Sequence, residues 1–291
     1  MKRTYIYITL ILFLSSCLQD TIRPKELLNY SDKVVVNGLL DNSNNVSIQI
    51  TNSKSSFDED LPRLIRDAEV QLVQNEIEHT LTFDALSDNY TKNLVLNSED
   101  NVTLIVRHPD YPLARSIVKI PQDLSAQANL TVNGGVDTSG LISDLLEITL
   151  NDQKGVENFY RINFYYINQT INQAVPFVFP RSDPSLAEFN SFKLNDGSIL
   201  FSDDLFDGLS KTFSAVPVQG IAGGGTGDKY LIELSTINKD LFEYYRSLQR
   251  AEEAKEVTFQ AGYNNAVVIH SNVTNGLGIL GAINAQQYYL R

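Results

Sequence analysis

The chain has 291 residues and a formal net charge of −12, which argues against a nucleic-acid-binding protein, because such proteins present a basic surface. Hydrophobic residues make up 43% of the sequence and charged residues 20%, which is enough apolar material for one large or two modest globular domains. Cys17 is the only cysteine. The chain therefore lacks the thiols for an internal disulfide or a thiolate metal site.

The first 17 residues have the layout of a lipoprotein signal peptide. Lys2 and Arg3 give a basic start, residues 5–14 form an apolar run, and a Leu-Ser-Ser-Cys lipobox ends at Cys17. The run is shorter than the ~20 residues that span a bilayer. We expect cleavage before Cys17 and attachment of fatty acids such as palmitate to it, since two or more buried acyl chains anchor a protein stably. Removal of the two cations changes the net charge from −12 to −14.

Short alternating segments predict a β-sandwich over residues 33–121, after a polar tether that covers residues 18–32. Turn-forming clusters such as residues 41–45 separate the segments. One face of each strand is expected to be buried, as in sandwiches of the immunoglobulin or transthyretin kind. The predicted strands are residues 34–36, 46–50, 68–73, 101–106 and 115–120.

The composition shifts towards Gly, Ser, Asn and Asp over residues 122–143, and we place a linker there. Residues 144–291 are predicted to form a larger β-rich domain with one amphipathic helix near residues 236–254, where apolar residues recur at three- and four-residue spacing. The strands predicted in this domain are residues 145–150, 158–167, 257–259, 266–270 and 279–289. The predicted fold class is therefore all-β.

A succession of short motifs resembles a lipoprotein family of Bacteroidota that is catalogued as domain of unknown function 4249. The motifs cover roughly residues 33–285, and their order, more than any single motif, carries the resemblance. They include Val34-Val35-Val36-Asn37-Gly38-Leu39, Asp67-Ala68-Glu69-Val70, Asn158-Phe159-Tyr160, Ser202-Asp203-Asp204-Leu205-Phe206-Asp207-Gly208, Tyr244-Tyr245-Arg246-Ser247-Leu248 and Asn275-Gly276-Leu277-Gly278-Ile279-Leu280-Gly281-Ala282.

The resemblance implies an outer-membrane lipoprotein, held in the lipid through Cys17, from a family without an established activity. Members of that family are often encoded near TonB-dependent transporters. We therefore expect a non-catalytic accessory or ligand-capturing subunit of an outer-membrane complex, with a TonB-dependent transporter as the leading partner. Two alternatives stay open, namely a structural or assembly subunit of another cell-envelope machine and a glycan-binding or glycan-degrading surface lipoprotein. For the location we favour the cell surface over the periplasmic face.

No motif in the sequence predicts catalysis or a cofactor. Ser116 and Lys119 have the spacing of a serine–lysine pair, but they fall in an alternating strand, which places them on opposite faces. His79, His108 and His270 lack the local pairing of common zinc signatures, and the chain has no GxSxG motif. We expect neither an enzyme nor a bound cofactor.

One acidic segment is a weak candidate for a calcium site. Asp203, Asp204 and Asp207 precede Gly208, and closely spaced carboxylates can converge on a hard cation. Leu205 occupies a position that should carry a ligand, so a simple acidic turn is the competing interpretation.

One apolar segment is a candidate partner-binding loop. Phe177 and Phe179 lie between Pro176 and Pro180, inside a polar region that is expected to be a loop. Exposed apolar groups on loops often mark contact sites. The competing interpretation is that both rings fold back into the core.

Overall fold

A computed structural model describes residues 31–55, 60–168, 171, 173–176, 191–221, 229–261 and 267–291, with the backbone alone for residues 255–261. These residues form mostly β-strands and one α-helix, which confirms the all-β fold class. The strands are β1 (Val34–Leu40), β2 (Asn45–Asn52), β3 (Glu69–Gln74), β4 (Ile77–Asp84), β5 (Asn89–Asn93), β6 (Asn101–His108), β7 (Tyr111–Lys119), β8 (Ala126–Val136), β9 (Ile142–Asn151), β10 (Phe159–Asn168), β11 (Gln173–Pro176), β12 (Phe192–Lys193), β13 (Ile199–Ser202), β14 (Ser210–Ala215), β15 (Tyr230–Ile237) and β16 (Gly276–Leu290). Helix α1 (Lys239–Ala261) lies between β15 and β16.

The first half of the chain folds as a sandwich-like sheet that curls around one core. Its strands pair in the order β1-β2-β5-β4-β3-β6-β7, and all of these neighbours are antiparallel. Arg115 in β7 bridges to Thr274, just before β16, and β16 pairs in parallel with β1. Alternate residues such as Val34 and Val36 are buried, as the period-2 pattern requires.

The second half of the chain has three layers. The central sheet runs in the order β12-β13-β10-β15-β16, and β11 also pairs with β10. The smaller sheet β14-β9-β8 covers one face of it and α1 covers the other. Alternation along β10 serves both faces, because Tyr160 belongs to the core between the sheets whereas Phe159 packs against Phe242 of α1 with ring centroids 4.7 Å apart.

Strand β16 belongs to both halves. Residues Gly276 to Ala282 pair with β1, and residues Ile283 to Leu290 pair with β15. Its Leu280 and Ala282 side chains lie in the core of the first half, and Leu290 lies in the core of the second. One continuous strand therefore connects the two hydrophobic cores.

Three sequence predictions in the second half were wrong. Residues 122–143 are not a simple linker, because β8 and the start of β9 lie there. Residues 257–259 belong to α1, and residues 267–270 form no strand. The linker error has a physical cause, since Asn133, Gly134 and Gly135 form an irregularity within β8 rather than a break between domains. Helix α1 also begins and ends later than the predicted residues 236–254.

Strands β4 and β5 were missed in the first half. Asn75 and Glu76 connect β3 to β4 in a two-residue turn in which both have positive φ, 45° and 74°. Such turns usually contain Gly at one of the two positions. Because this turn has Asn-Glu and no Gly, the usual turn motifs do not predict the hairpin.

Within the ranges given above, no helix is long and apolar enough to cross a membrane.

Candidate functional site

Three aspartates from two separate turns meet beside β10. Asp203 and Asp207 lie in the turn after β13, and Asp152 directly follows β9. One carboxylate oxygen from each lies within 4.8 Å of the others. The predicted pair Asp203 and Asp207 is therefore brought together, whereas Asp204 is exposed, accepts a hydrogen bond from Ser202 Oγ at 2.7 Å and is not in the cluster. We call Asp152, Asp203 and Asp207 the acidic cluster.

Hydrogen bonds from neighbouring turns already satisfy several carboxylate oxygens of the acidic cluster. Asp152 accepts from the Gly208 amide at 2.7 Å, from Asn158 Nδ2 at 3.2 Å and from the Tyr160 hydroxyl. The Asn158 amide donates to Asp203 at 2.8 Å, and the Gly155 amide donates to Asp207 at 2.6 Å. These bonds fasten the turn after β13 to the turn between β9 and β10.

Burial changes the pKa values of two groups here, Asp203 and Tyr160. Asp203 is only 3% exposed. Its burial, together with the nearby charge of Asp152, raises the pKa of Asp203 to about 6. The hydrogen bond from the Asn158 main-chain N–H acts in the opposite direction and lowers this pKa. Burial and the bond to Asp152 also raise the pKa of Tyr160, so its hydroxyl stays protonated and donates. The cluster has the ligand types for a hard cation, but its bonds equally suit the acidic turn that was the competing interpretation.

A cleft of about 180 Å³ lies beside the acidic cluster, between the two halves of the chain. Its apolar lining comes from Ile120 and Pro121 in the first half and from Val156, Phe159 and Ile237 in the second. Ile120, Phe159 and Ile237 are only 1%, 6% and 3% exposed. We call these three packed side chains the floor of the cleft.

The rim of the cleft carries two ion pairs. Lys119 pairs with Glu99 on the wall of the first half. In the second half, Lys239 lies 2.9 Å from both carboxylate oxygens of Glu157. All four side chains are roughly half exposed. The cleft therefore has an apolar floor and a rim with equal numbers of positive and negative charges.

Asn158 connects the cleft to the acidic cluster. Its side chain accepts a hydrogen bond from Gln122 Nε2 at 3.1 Å and donates to Asp152 at 3.2 Å. Asn158 therefore contacts both the cleft and the acidic cluster.

An exposed aliphatic surface lies at the end of the β8–β9 hairpin. We call it the apolar tip, and its side chains are between 50% and 62% exposed. The residues of the apolar tip are Val132, Val136, Leu141 and Ile142 of the hairpin and Val218, whose neighbours Pro217 and Gln219 are bonded to the hairpin.

The backbone under the apolar tip is well fixed. Asp137 accepts hydrogen bonds from the amides of Ser139, Leu141 and Gln219 at 2.9 to 3.0 Å, and these bonds lower its pKa. Ser143 Oγ donates to the Pro217 carbonyl at 2.7 Å. These hydrogen bonds hold the turn of the hairpin and tie it to the segment that carries Val218.

The apolar tip lies far from the start of β1. Val34 pairs with Gly276 at one end of β16, and Leu290 pairs with Tyr230 at the other. The Tyr230 hydroxyl donates a hydrogen bond to Asp144, and the Asn133 main-chain N–H donates another to the same carboxylate. These bonds place the β8–β9 hairpin at the Leu290 end of β16. Fourteen residue steps at about 3.3 Å each put roughly 45 Å of strand between the two ends.

The other residues that the sequence singled out are far apart or lie outside the described ranges. Cys17, Phe177 and Phe179 are outside them. Ser116 is buried and Lys119 is exposed, which confirms that they occupy opposite faces of β7. His108 lies against Asp67 at 3.2 Å and His270 against Asp240 at 2.8 Å, at separate places in the fold. In the ranges that the structure covers, the acidic cluster is the one carboxylate or histidine group spaced for a metal.

Sequence reasoning missed Asp152, the cleft and the apolar tip. Asp152 follows a predicted strand, but its contact with Asp203 spans 51 residues and depends on how β9, β10 and β13 are arranged. The exposed alternation of the hairpin was a usable signal for the apolar tip, which the linker assignment set aside.

Comparison with known proteins identifies the family. The sequence model described as "Domain of unknown function (DUF4249)" matches residues 20–288. The chain belongs to this family. The match therefore confirms the resemblance drawn from the succession of motifs, and DUF4249 membership covers both halves of the fold.

Other comparisons add little to DUF4249 membership. No curated protein matches the chain. A solved structure from Corynebacterium diphtheriae, described as a protein thought to be membrane anchored, is 15% identical over 71% of this chain, with a TM-score of 0.22. The matched region spans 55% of that protein.

Proposed function

We propose that this DUF4249 protein is a non-catalytic, lipid-anchored accessory subunit of an outer-membrane complex, and that it docks on its partner through the apolar tip. A TonB-dependent transporter is the leading partner. The apolar tip is the observation that carries the proposal, because several exposed aliphatic side chains grouped at the end of one hairpin often mark a protein-binding site.

The expected anchor fits this arrangement. Lipidation at Cys17 would leave residues 18–32 as a tether that extends at most ~50 Å, which keeps the body close to the membrane. The apolar tip lies at the opposite end of β16 from the start of β1. The five residues of the apolar tip are all aliphatic and none is one of the Trp or Tyr residues that are enriched at membrane interfaces, so a protein surface is the better partner.

The described polar sites support binding more than catalysis. The hydroxyl of Thr236, which lines the cleft, donates to the Gln122 carbonyl at 2.8 Å. The carboxylates of the acidic cluster accept bonds from main-chain amides. A nucleophile must instead be activated by an adjacent base.

The test is purification of the native lipoprotein from detergent-solubilised outer membranes, with identification of what co-purifies. We expect a stoichiometric transporter barrel with the wild-type chain and its loss in a Val136→Lys/Ile142→Lys variant. Ile77→Lys is the matched control, because Ile77 is 63% exposed on β4 and lies outside the apolar tip. Cys17→Ala tests whether anchoring is needed.

Recovery of the protein alone, or equal recovery of the barrel with both lysine variants, would contradict docking through the apolar tip. Another stoichiometric partner would favour the second candidate, a structural or assembly subunit of a different envelope machine, which the same surface would suit. Antibody labelling of intact cells tests the proposed exposure on the cell surface.

A further inference from the structure

We propose that the cleft between the two halves binds a small zwitterion with an apolar side chain, the chemistry of a hydrophobic amino acid. This binding site is separate from the apolar tip and goes beyond docking on a partner. Its volume of about 180 Å³ is below the ~300–1,000 Å³ that is usual for pockets of drug-sized ligands. The occupant must therefore be small.

The floor of the cleft requires an apolar part in the ligand. Ile120, Phe159 and Ile237 are nearly fully buried beneath the opening, and Val156 is 39% exposed at its side. The neighbouring polar groups are already engaged, because Gln122 donates to Asn158 and Thr236 donates to the Gln122 carbonyl. A short aliphatic side chain placed here gains free energy mainly through removal of its own apolar area from water, because the floor residues are already nearly inaccessible.

The rim of the cleft suits a ligand that carries charges of both signs. Lys119, Glu99, Lys239 and Glu157 line it, two charges of each sign, although the whole chain carries −12. A ligand with one charge would be attracted by one member of each pair and repelled by the other. A ligand with an ammonium and a carboxylate can satisfy both.

Rearrangement of the ion pairs of the rim costs little free energy. All four side chains are roughly half exposed, and exposed ion pairs contribute only about 0–1 kcal/mol to stability. Each lysine ammonium has three N–H donors, so it can contact a ligand carboxylate while it keeps its glutamate partner. The Lys239 ammonium also lies 6.0 Å from the centre of the Phe159 ring, which holds it above the floor.

Titration calorimetry on the purified full-length protein tests this assignment, with L-leucine as the probe. Leucinamide lacks the carboxylate, 4-methylpentanoic acid lacks the ammonium, and glycine lacks the apolar side chain. We expect saturable binding of leucine and at least tenfold weaker binding of all three analogues. The dipeptide leucyl-leucine distinguishes the source, because tighter binding of the dipeptide than of leucine would indicate peptides, and weaker binding would indicate free amino acids.

Two variants make the result specific to the cleft. In Lys119→Gln/Lys239→Gln the preference for leucine over leucinamide should disappear, because the carboxylate has lost its partners. Lys92→Gln is the control, since Lys92 is exposed on β5 and does not line the cleft. Absence of leucine binding at millimolar concentration, or an unchanged preference in the double variant, would overturn the assignment. Neither result depends on a membrane partner, so failure here is distinct from failure of docking through the apolar tip.

Discussion

The Cα of Gly278 lies so close to Val36 that a side chain at position 278 would collide with the main-chain carbonyl of Val36. The two residues are directly paired in the parallel ladder between β1 and β16, and Gly278 has a φ of +93°. This contact lies where the last strand enters the first half of the fold. The parallel pairing thus depends on a residue without a Cβ.

Gly278→Ala should therefore be strongly destabilising. We expect a loss on the order of 4 kcal/mol in the free energy of unfolding, because the clash with Val36 adds to the cost of a positive φ. Urea denaturation followed by circular dichroism measures it. Gly140→Ala is the matched control, since Gly140 also has a positive φ of 80° but has open space around it, and we expect it to cost only ~1–2 kcal/mol. Equal losses would show that the close approach to Val36 is unimportant.

Asp203 should make stability depend on pH. A carboxyl group with a raised pKa binds its proton more tightly in the folded state than in the unfolded state, so protonation stabilises the fold. The gain is complete below the ordinary value near 3.8 and is lost as the pH rises through the folded value of about 6. Asp203→Asn should therefore be ~1–2 kcal/mol more stable than the wild-type chain at pH 7.5, with a smaller difference at pH 4.5.

Chemical denaturation at both pH values measures this difference. Other carboxylates, such as Asp137 and Asp196, also make stability depend on pH. Hydrogen bonds lower the pKa values of both groups in the fold, and Arg161 adds to the effect at Asp196. Comparison of the variant with the wild type at each pH cancels these contributions. Asp60→Asn is the control, because Asp60 is exposed in the first half and is not among the groups that shift the pKa of Asp203. A stability difference that does not change between the two pH values would count against a raised pKa at Asp203.

The hydroxyl of Tyr160 should contribute to stability through Asp152. Tyr160 is 2% exposed and donates its hydroxyl hydrogen to that carboxylate. Tyr160→Phe should cost about 1.5–3 kcal/mol, the usual contribution of a hydrogen bond to a charged group. Thermal and urea unfolding report the loss. Tyr289→Phe removes an exposed hydroxyl that bonds Gln287 at 3.3 Å and should change stability by less than ~0.5 kcal/mol.

Calcium distinguishes the two interpretations of the acidic cluster. Because Asp152, Asp203 and Asp207 already accept hydrogen bonds from Gly208, Asn158, Tyr160 and Gly155, we expect millimolar Ca²⁺ to leave the unfolding temperature unchanged. Differential scanning fluorimetry with Ca²⁺ or with a chelator checks this. A rise of several degrees that Asp203→Asn abolishes would instead make the cluster a cation site.

Alternation along the strands carried most of the fold that could be predicted from sequence. It located β1, β2, β3, β6 and β7 because each buries one face against a core. It failed where the turn lacked its usual glycine, at Asn75 and Glu76, and where glycines sit inside a strand, at Gly134 and Gly135. The residue types in a short segment therefore do not show whether the chain turns there or continues as a strand.

The candidate sites were harder to predict, because they combine residues that are distant in sequence. Asp203 and Asp207 were found because they are neighbours, whereas Asp152 joins them only through the arrangement of three strands. The cleft draws one wall from residues near Lys119 and the other from residues near Lys239. These residues meet only in the folded chain, in which β16 pairs with strands of both halves, and no local pattern encodes that contact.

The position of β16 also determines the order in which the chain can fold. Strand β1 gains its parallel neighbour only when Val34 pairs with Gly276, which lies 242 residues later in the chain. The first core is also incomplete until Leu280 and Ala282, near the end of the chain, have packed into it. Contacts between such distant residues are slow to form, and incomplete folds expose apolar surface and unpaired strand edges. A chain that emerges from its N-terminus, during synthesis or translocation, cannot complete the first half in advance. We therefore expect truncation before Gly276 to leave both halves aggregation-prone, so that the protein matures as a single cooperative unit.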